Sequence, residues 1–126
     1  SDGSIDFPHL TTSDILVSMS QGAYDLYCVD VKEDSGLILY DQNLVSPRKD
    51  LKVKQLGVPA TEISVKKLKN KQVANIVLLG VLIETLKIVS PKAMQKAIAL
   101  HVSQRFRALN LKALRIGMEL GRQTHG

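Results

Sequence analysis

Residues Val73 to Leu86 read Val-Ala-Asn-Ile-Val-Leu-Leu-Gly-Val-Leu-Ile-Glu-Thr-Leu, and eight consecutive positions, Ile76 to Ile83, carry no polar or charged side chain. A helix here is apolar on every side and belongs inside a fold. It is too short for a membrane span, which takes roughly 20 apolar residues, because Asn75, Glu84 and Lys87 bracket the run. Gly80 sits in its middle, where Gly normally costs about 1 kcal/mol relative to Ala. The expected return is the close approach of another backbone.

Upstream, the pattern is α/β. Asp14-Ile15-Leu16-Val17-Ser18 suits a buried parallel strand, and Ser20 is a natural N-cap for a helix whose inner face is Ala23, Tyr24, Leu26 and Tyr27. Lys32 to Gly36 is turn chemistry, and Leu37 to Tyr40 reads as a second buried strand ending at Asp41. Asn43 to Asp50, with Pro47, is a loop. Leu51 to Lys54 alternates as a half-exposed strand does, and the run closes at Gly57-Val58-Pro59. Ser1 to Leu10, with Pro8, reads as a lead-in.

From Ala60 onward the pattern is helical. Thr61 is placed to cap a short helix over Glu62 to Leu68, and Lys66, Lys67, Lys69 and Lys71 crowd its end, where cations suit the helix dipole. Ser90-Pro91 is a helix start, with Met94, Ala97, Ile98 and His101 on one face. The last helix, about Ser103 to Leu120, carries two apolar stripes. Phe106, Leu109, Ala113, Ile116 and Leu120 are expected to face the core. Leu111, Leu114 and Met118, nearly opposite, are either sandwiched within the domain or docked against another chain, and docking is the favoured expectation, since large exposed apolar patches mark interaction sites.

The 126 residues form a single expected domain, 1–126, with a net charge of +5 that favours acidic partners. Aromatics are only 4%, so stacking platforms for nucleic acid are poorly supplied, and no nucleic-acid role is expected. The single Cys28 excludes an internal disulfide and a cluster held by this chain alone. His9, His101 and His125 have no ligand spacing, and no metal or cofactor is expected on the chain itself. No signal peptide is visible, which reads as cytoplasmic with no membrane contact. No phosphate-cradling glycine loop and no assignable catalytic set is present.

Several segments together resemble the gamma subunit of 2-oxoacid:ferredoxin oxidoreductases, a domain also fused into the pyruvate enzymes. They are Ile5-Asp6-Phe7-Pro8, Asp14 to Gln21 with Ala23-Tyr24, Gly36 to Asp41, Val58 to Ile63, Val73 to Gly80, and Asn110 to Leu114 followed by Gly117. The resemblance implies a Rossmann-like three-layer α/β domain with a mostly parallel sheet and a helical C-terminal half. The family's first strand and its G-x-G-G-x-G turn are missing from this sequence, and the front of the chain reads as truncated.

The resemblance further implies a complex that oxidatively decarboxylates a 2-oxoacid to an acyl-CoA. Thiamine diphosphate, magnesium and iron–sulfur clusters sit on alpha, beta and in some cases delta subunits, and electrons leave to ferredoxin. The gamma chain has no catalytic residue in that picture: it caps the catalytic subunits and helps position coenzyme A. Pyruvate, 2-oxoglutarate, branched-chain and indolepyruvate enzymes all remain open.

Ligands of open α/β sheets gather beyond the carboxyl ends of strands, which makes Ser18, Ser20 and Gln21 contact candidates. Thr61 and Asn75, near helix N-termini, are two more. All five are also types that routinely cap helices and form turns. Lys66, Lys67, Lys69 and Lys71 are either a solvated surface or an attractor for coenzyme A phosphates or an acidic ferredoxin. The alternatives are a stand-alone acyl-CoA or nucleotide-binding module, and a purely structural domain that forms a homo-oligomer.

Overall fold

The computed structural model describes residues 9–11, 15–87 and 90–125; the segment Ile5–Pro8 and Asp14 lie outside them. The described residues fall into two compact units, one within Phe7–Glu62 and one within Ile63–Gly126.

The first unit holds a four-stranded sheet in the order β1 (His9–Thr11), β2 (Ile15–Ser18), β3 (Leu37–Asp41), β4 (Lys54–Val58). β1 pairs antiparallel with β2, while β2, β3 and β4 are mutually parallel, in register Ile15↔Leu37 and Leu37↔Lys54. The α/β class is therefore as expected. Leu16, Val17, Ile38 and Leu39 are all buried. Both faces of the strands being covered, their sequences are continuous apolar runs.

Helix α1 (Gln21–Tyr27) crosses over from β2 to β3, and the Ser20 hydroxyl accepts from the Ala23 N–H at 3.0 Å. Tyr24 and Cys28, one turn apart, join Leu16, Val31, Ile38, Val45 and Val53 in one core cluster. Leu26, expected on that face, is 65% exposed, because two positions beyond Tyr24 is the far side of a helix. The Tyr24 hydroxyl donates to Gln55 Oε1 and accepts from the Arg48 N–H at 2.9 Å, anchoring the β3–β4 loop. Burial pushes the Tyr24 phenol above its ordinary range, opposed by that backbone N–H.

The third parallel strand lies further along than Leu51–Lys54. Val53 and the partly buried Leu51 do alternate inward, but as loop residues seated in the core cluster. Gly57, read as a terminator, lies inside β4 opposite Tyr40, and a Cβ on it would stand 2.7 Å from the Tyr40 ring. β1 begins within what reads as a lead-in.

The second unit is helical. Helix α2 (Ala60–Leu68) leads through a 3-10 turn (Lys71–Val73) into α3 (Ala74–Leu86), followed by α4 (Pro91–His101) and α5 (Gln104–His125). α3 is buried from Ile76 to Glu84, and its chief neighbour is α5. Ser90 caps α4 by accepting from the Ala93 N–H at 3.0 Å, with Pro91 at its first position. Ile98 is fully buried and Ala97 half-buried; the side chains of Met94 and His101 lie outside the described set.

Apart from Ala113, which is fully buried as expected, the stripes of α5 reverse the expectation. Leu114 (0% exposed) and Met118 (8%) are buried, together with Asn110, Ala113, Gly117 and Gly121, so they are not free to dock another chain, while Leu111 is half-buried. Phe106, Leu109, Ile116 and Leu120 are only half-buried. The reason is steric. Gly117 and Gly121 share the face of Leu114, and a Cβ on Gly117 would stand 2.0 Å from the Val77 carbonyl oxygen.

Candidate functional site

The carboxyl ends of β2, β3 and β4 bring three short segments to one sheet edge: Ser18–Gln21, Asp41–Ser46 and Val58–Glu62. Ser18 is fully buried; its hydroxyl donates to the Ser20 carbonyl at 2.9 Å and accepts from the Ser20 N–H at 3.4 Å. Gln21 forms a two-point clip on the β3–β4 loop, accepting from the Ser46 N–H at 2.6 Å and donating to its carbonyl at 3.2 Å. The same amide donates to Asp25 at 3.0 Å.

The residue that organises this edge, Asp41, does not stand out in the sequence. It is fully buried at the end of β3 and accepts from the Asn43 N–H at 3.0 Å, the Thr61 N–H at 3.1 Å and the Thr61 hydroxyl. Asn43 Oδ1 accepts from the Glu62 N–H at 2.9 Å. The first turn of α2 is thus capped from the β3 loop, satisfying donors that a helix start leaves orphaned. Thr61, expected as a cap, lies inside the helix and is itself a donor. The legible signal was an Asp-x-Asn after a buried strand, a turn-forming pattern.

Asn75 belongs to the other unit, in the first turn of α3, half-buried. Lys66, Lys67, Lys69 and Lys71 are all exposed at and beyond the end of α2. Lys69 takes a left-handed conformation (φ 56°), and the Asn70 N–H returns to the Ser64 carbonyl at 3.1 Å.

Hydroxyls, amides and the fully engaged Asp41 carboxylate can orient a ligand or neighbouring chain, and among them no nucleophile–base pair is formed. One buried cysteine cannot hold an iron–sulfur cluster alone. Among the described residues no group of three or more His, Cys, Asp or Glu could hold a metal ion, and no helix is long and apolar enough to cross a membrane.

A mostly parallel sheet with polar groups beyond its carboxyl edge, followed by helices, defines the chain as an α/β protein, the class in which ligands gather beyond that edge. Residues 1–120 match the family model described as pyruvate ferredoxin/flavodoxin oxidoreductase, and the chain belongs to that family. It is 42% identical, over 98% of its length, to the 2-oxoglutarate synthase subunit KorC of Methanocaldococcus jannaschii. The keto/oxoacid ferredoxin oxidoreductase gamma subunit of Geobacter sulfurreducens superposes on 87% of the chain with TM-score 0.80 at 31% identity. A 2-oxoglutarate:ferredoxin oxidoreductase from Magnetococcus marinus, solved with 2-oxoglutarate, coenzyme A and succinyl-CoA, shares the fold over 87% of this chain and 20% of that one, with TM-score 0.68 at 19% identity. The chain spans 66% of the M. jannaschii subunit and 64% of the G. sulfurreducens subunit.

Proposed function

We propose that this chain serves as the gamma component of a multi-subunit 2-oxoacid:ferredoxin oxidoreductase, with 2-oxoglutarate as the 2-oxoacid. The observation that carries the reading is the 42% identity to a KorC subunit sustained over 98% of the chain. The site chemistry supports it. An edge of engaged hydroxyls and amides suits a component that caps and positions, while decarboxylation proceeds on alpha and beta subunits bearing thiamine diphosphate and magnesium. Iron–sulfur clusters on partner subunits, a delta subunit included, pass the electrons to ferredoxin.

Coenzyme A is the co-substrate, and the edge formed by Ser20, Gln21 and Thr61, with the buried Ser18 holding Ser20 in place, helps position it or the subunit that holds it. Asn75 is a further contact in this reading, and Lys66, Lys67, Lys69 and Lys71 draw in phosphate or ferredoxin charge. Co-expression with the candidate partner subunits, purification through a tag on this chain and an anaerobic assay of coenzyme A-dependent dye reduction test the proposal. Partners that co-purify with activity support it; a stable monomer that binds an acyl-CoA or nucleotide alone replaces it with the stand-alone binding module.

A further inference from the structure

Charge is sorted along the sequence. The segment Ile63–Gly126 carries twelve Lys and Arg against two Glu, a net +10, whereas Phe7–Glu62 carries five against eight, a net −3. Between Glu84 and Glu119 there is no acidic residue among seven Lys and Arg. Both glutamates are already engaged, Glu84 with Lys87 at 2.6 Å and Glu119 with Arg122. Like charge at this density repels itself and is relieved by an opposite charge from outside.

On α5 these cations are mixed with apolar side chains. Arg105, Lys112 and Arg115 are exposed, and Leu109, Ile116 and Leu120 are half-exposed. At 3.6 residues per turn Arg105, Leu109, Lys112, Ile116 and Leu120 fall within about a quarter of the helix surface, and beyond its Lys112 edge follow Glu119, already paired with Arg122, and then Arg115. That quarter lies away from the Gly117 and Gly121 face that meets α3. Apolar anchors with a charged surround are the anatomy of a lasting protein interface. Nucleic acid would engage the cations and leave the leucines wet, and a second copy would set +10 against +10.

We propose that the outer face of α5 is the docking surface for an acidic, partly apolar face of a partner subunit. The proposal rests on the gamma-component reading and adds where on this chain assembly occurs and with what chemistry. Its test is capture of co-expressed partner subunits through a tag on this chain, at low and high salt. The chains compared are wild type, Arg105→Glu/Lys112→Glu/Arg115→Glu, and the control Lys49→Glu/Lys52→Glu/Lys54→Glu, which changes net charge equally on the other unit.

The α5 variant is expected to retain about tenfold less partner, or lower still, while the control stays within about twofold, as loss of interfacial charge pairs dictates. Circular dichroism checks folding. The neutral Arg105→Gln/Lys112→Gln/Arg115→Gln chain, milder to the helix, is expected to show a smaller loss and a weaker salt dependence. Wild-type retention by both α5 variants overturns the proposal, as do equal losses in the α5 and control variants. Nuclease-sensitive capture overturns it in favour of nucleic acid, and a wild-type homo-oligomer in favour of self-association. If the wild type captures no partner, the gamma-component reading itself has failed and the proposal falls with it.

Discussion

Gly80 on α3 and Gly117 on α5 bring two helix backbones into direct contact. A Cβ on Gly117 would stand 3.0 Å from the Gly80 Cα and 2.0 Å from the Val77 carbonyl oxygen, and one on Gly80 would stand 2.4 Å from the Leu114 carbonyl oxygen. These neighbours are backbone and cannot step aside. Gly80→Ala and Gly117→Ala are each expected to cost about 3 kcal/mol, at the upper end of overpacking penalties. Gly22→Ala, in α1 with its nearest neighbour 3.8 Å away, is expected to add about 0.5 kcal/mol. Urea denaturation of the three variants checks both signs.

The crossing also shows what was legible. The run Ile76–Ile83 declares a buried helix, and Gly80 a close approach. Which face of α5 makes that approach was hidden, because counting large apolar residues favours Phe106, Leu109, Ile116 and Leu120 over Leu111, Leu114 and Met118. Gly117 and Gly121 add nothing to such a count, yet they decide the face by letting the backbones meet. At the sheet edge, Ser20 as a cap was readable from neighbouring residues. Asp41 was readable only as a turn former with Asn43, and not as the cap of α2, because Thr61 lies 20 positions on.

Tyr24 makes stability pH-dependent on the alkaline side. Its folded pKa is raised above the ordinary 10.0 by burial, so the folded state prefers the neutral phenol. That stability is fully present below the unfolded pKa and is lost as pH rises through the folded value. Thermal melts should therefore fall above about pH 10. Tyr24→Phe is expected to flatten that fall while costing roughly 1–3 kcal/mol at neutral pH, since Gln55 and the Arg48 N–H lose their partner.

Asp41→Asn tests the cap of α2. The side chain keeps its shape but turns one acceptor into a donor, facing donors from Thr61 or Asn43. A loss of roughly 2 kcal/mol is expected. Hydrogen exchange at the Thr61 and Glu62 amides should accelerate, with β2 amides little changed.

Neutralising Lys66, Lys67, Lys69 and Lys71 to Gln should slow the coupled reaction severalfold at low salt and have no effect at high salt, where screening removes the wild type's advantage. An unchanged rate and salt slope would leave the four lysines as solvated surface.

The gamma-component role stands or falls on the anaerobic rate of coenzyme A-dependent acceptor reduction by the complex isolated through this chain, compared across 2-oxoglutarate, pyruvate and a branched-chain 2-oxoacid. Turnover is expected with 2-oxoglutarate foremost, and none when coenzyme A is omitted. An isolated complex that turns over none of the three acids, or whose rate ignores coenzyme A, would contradict it.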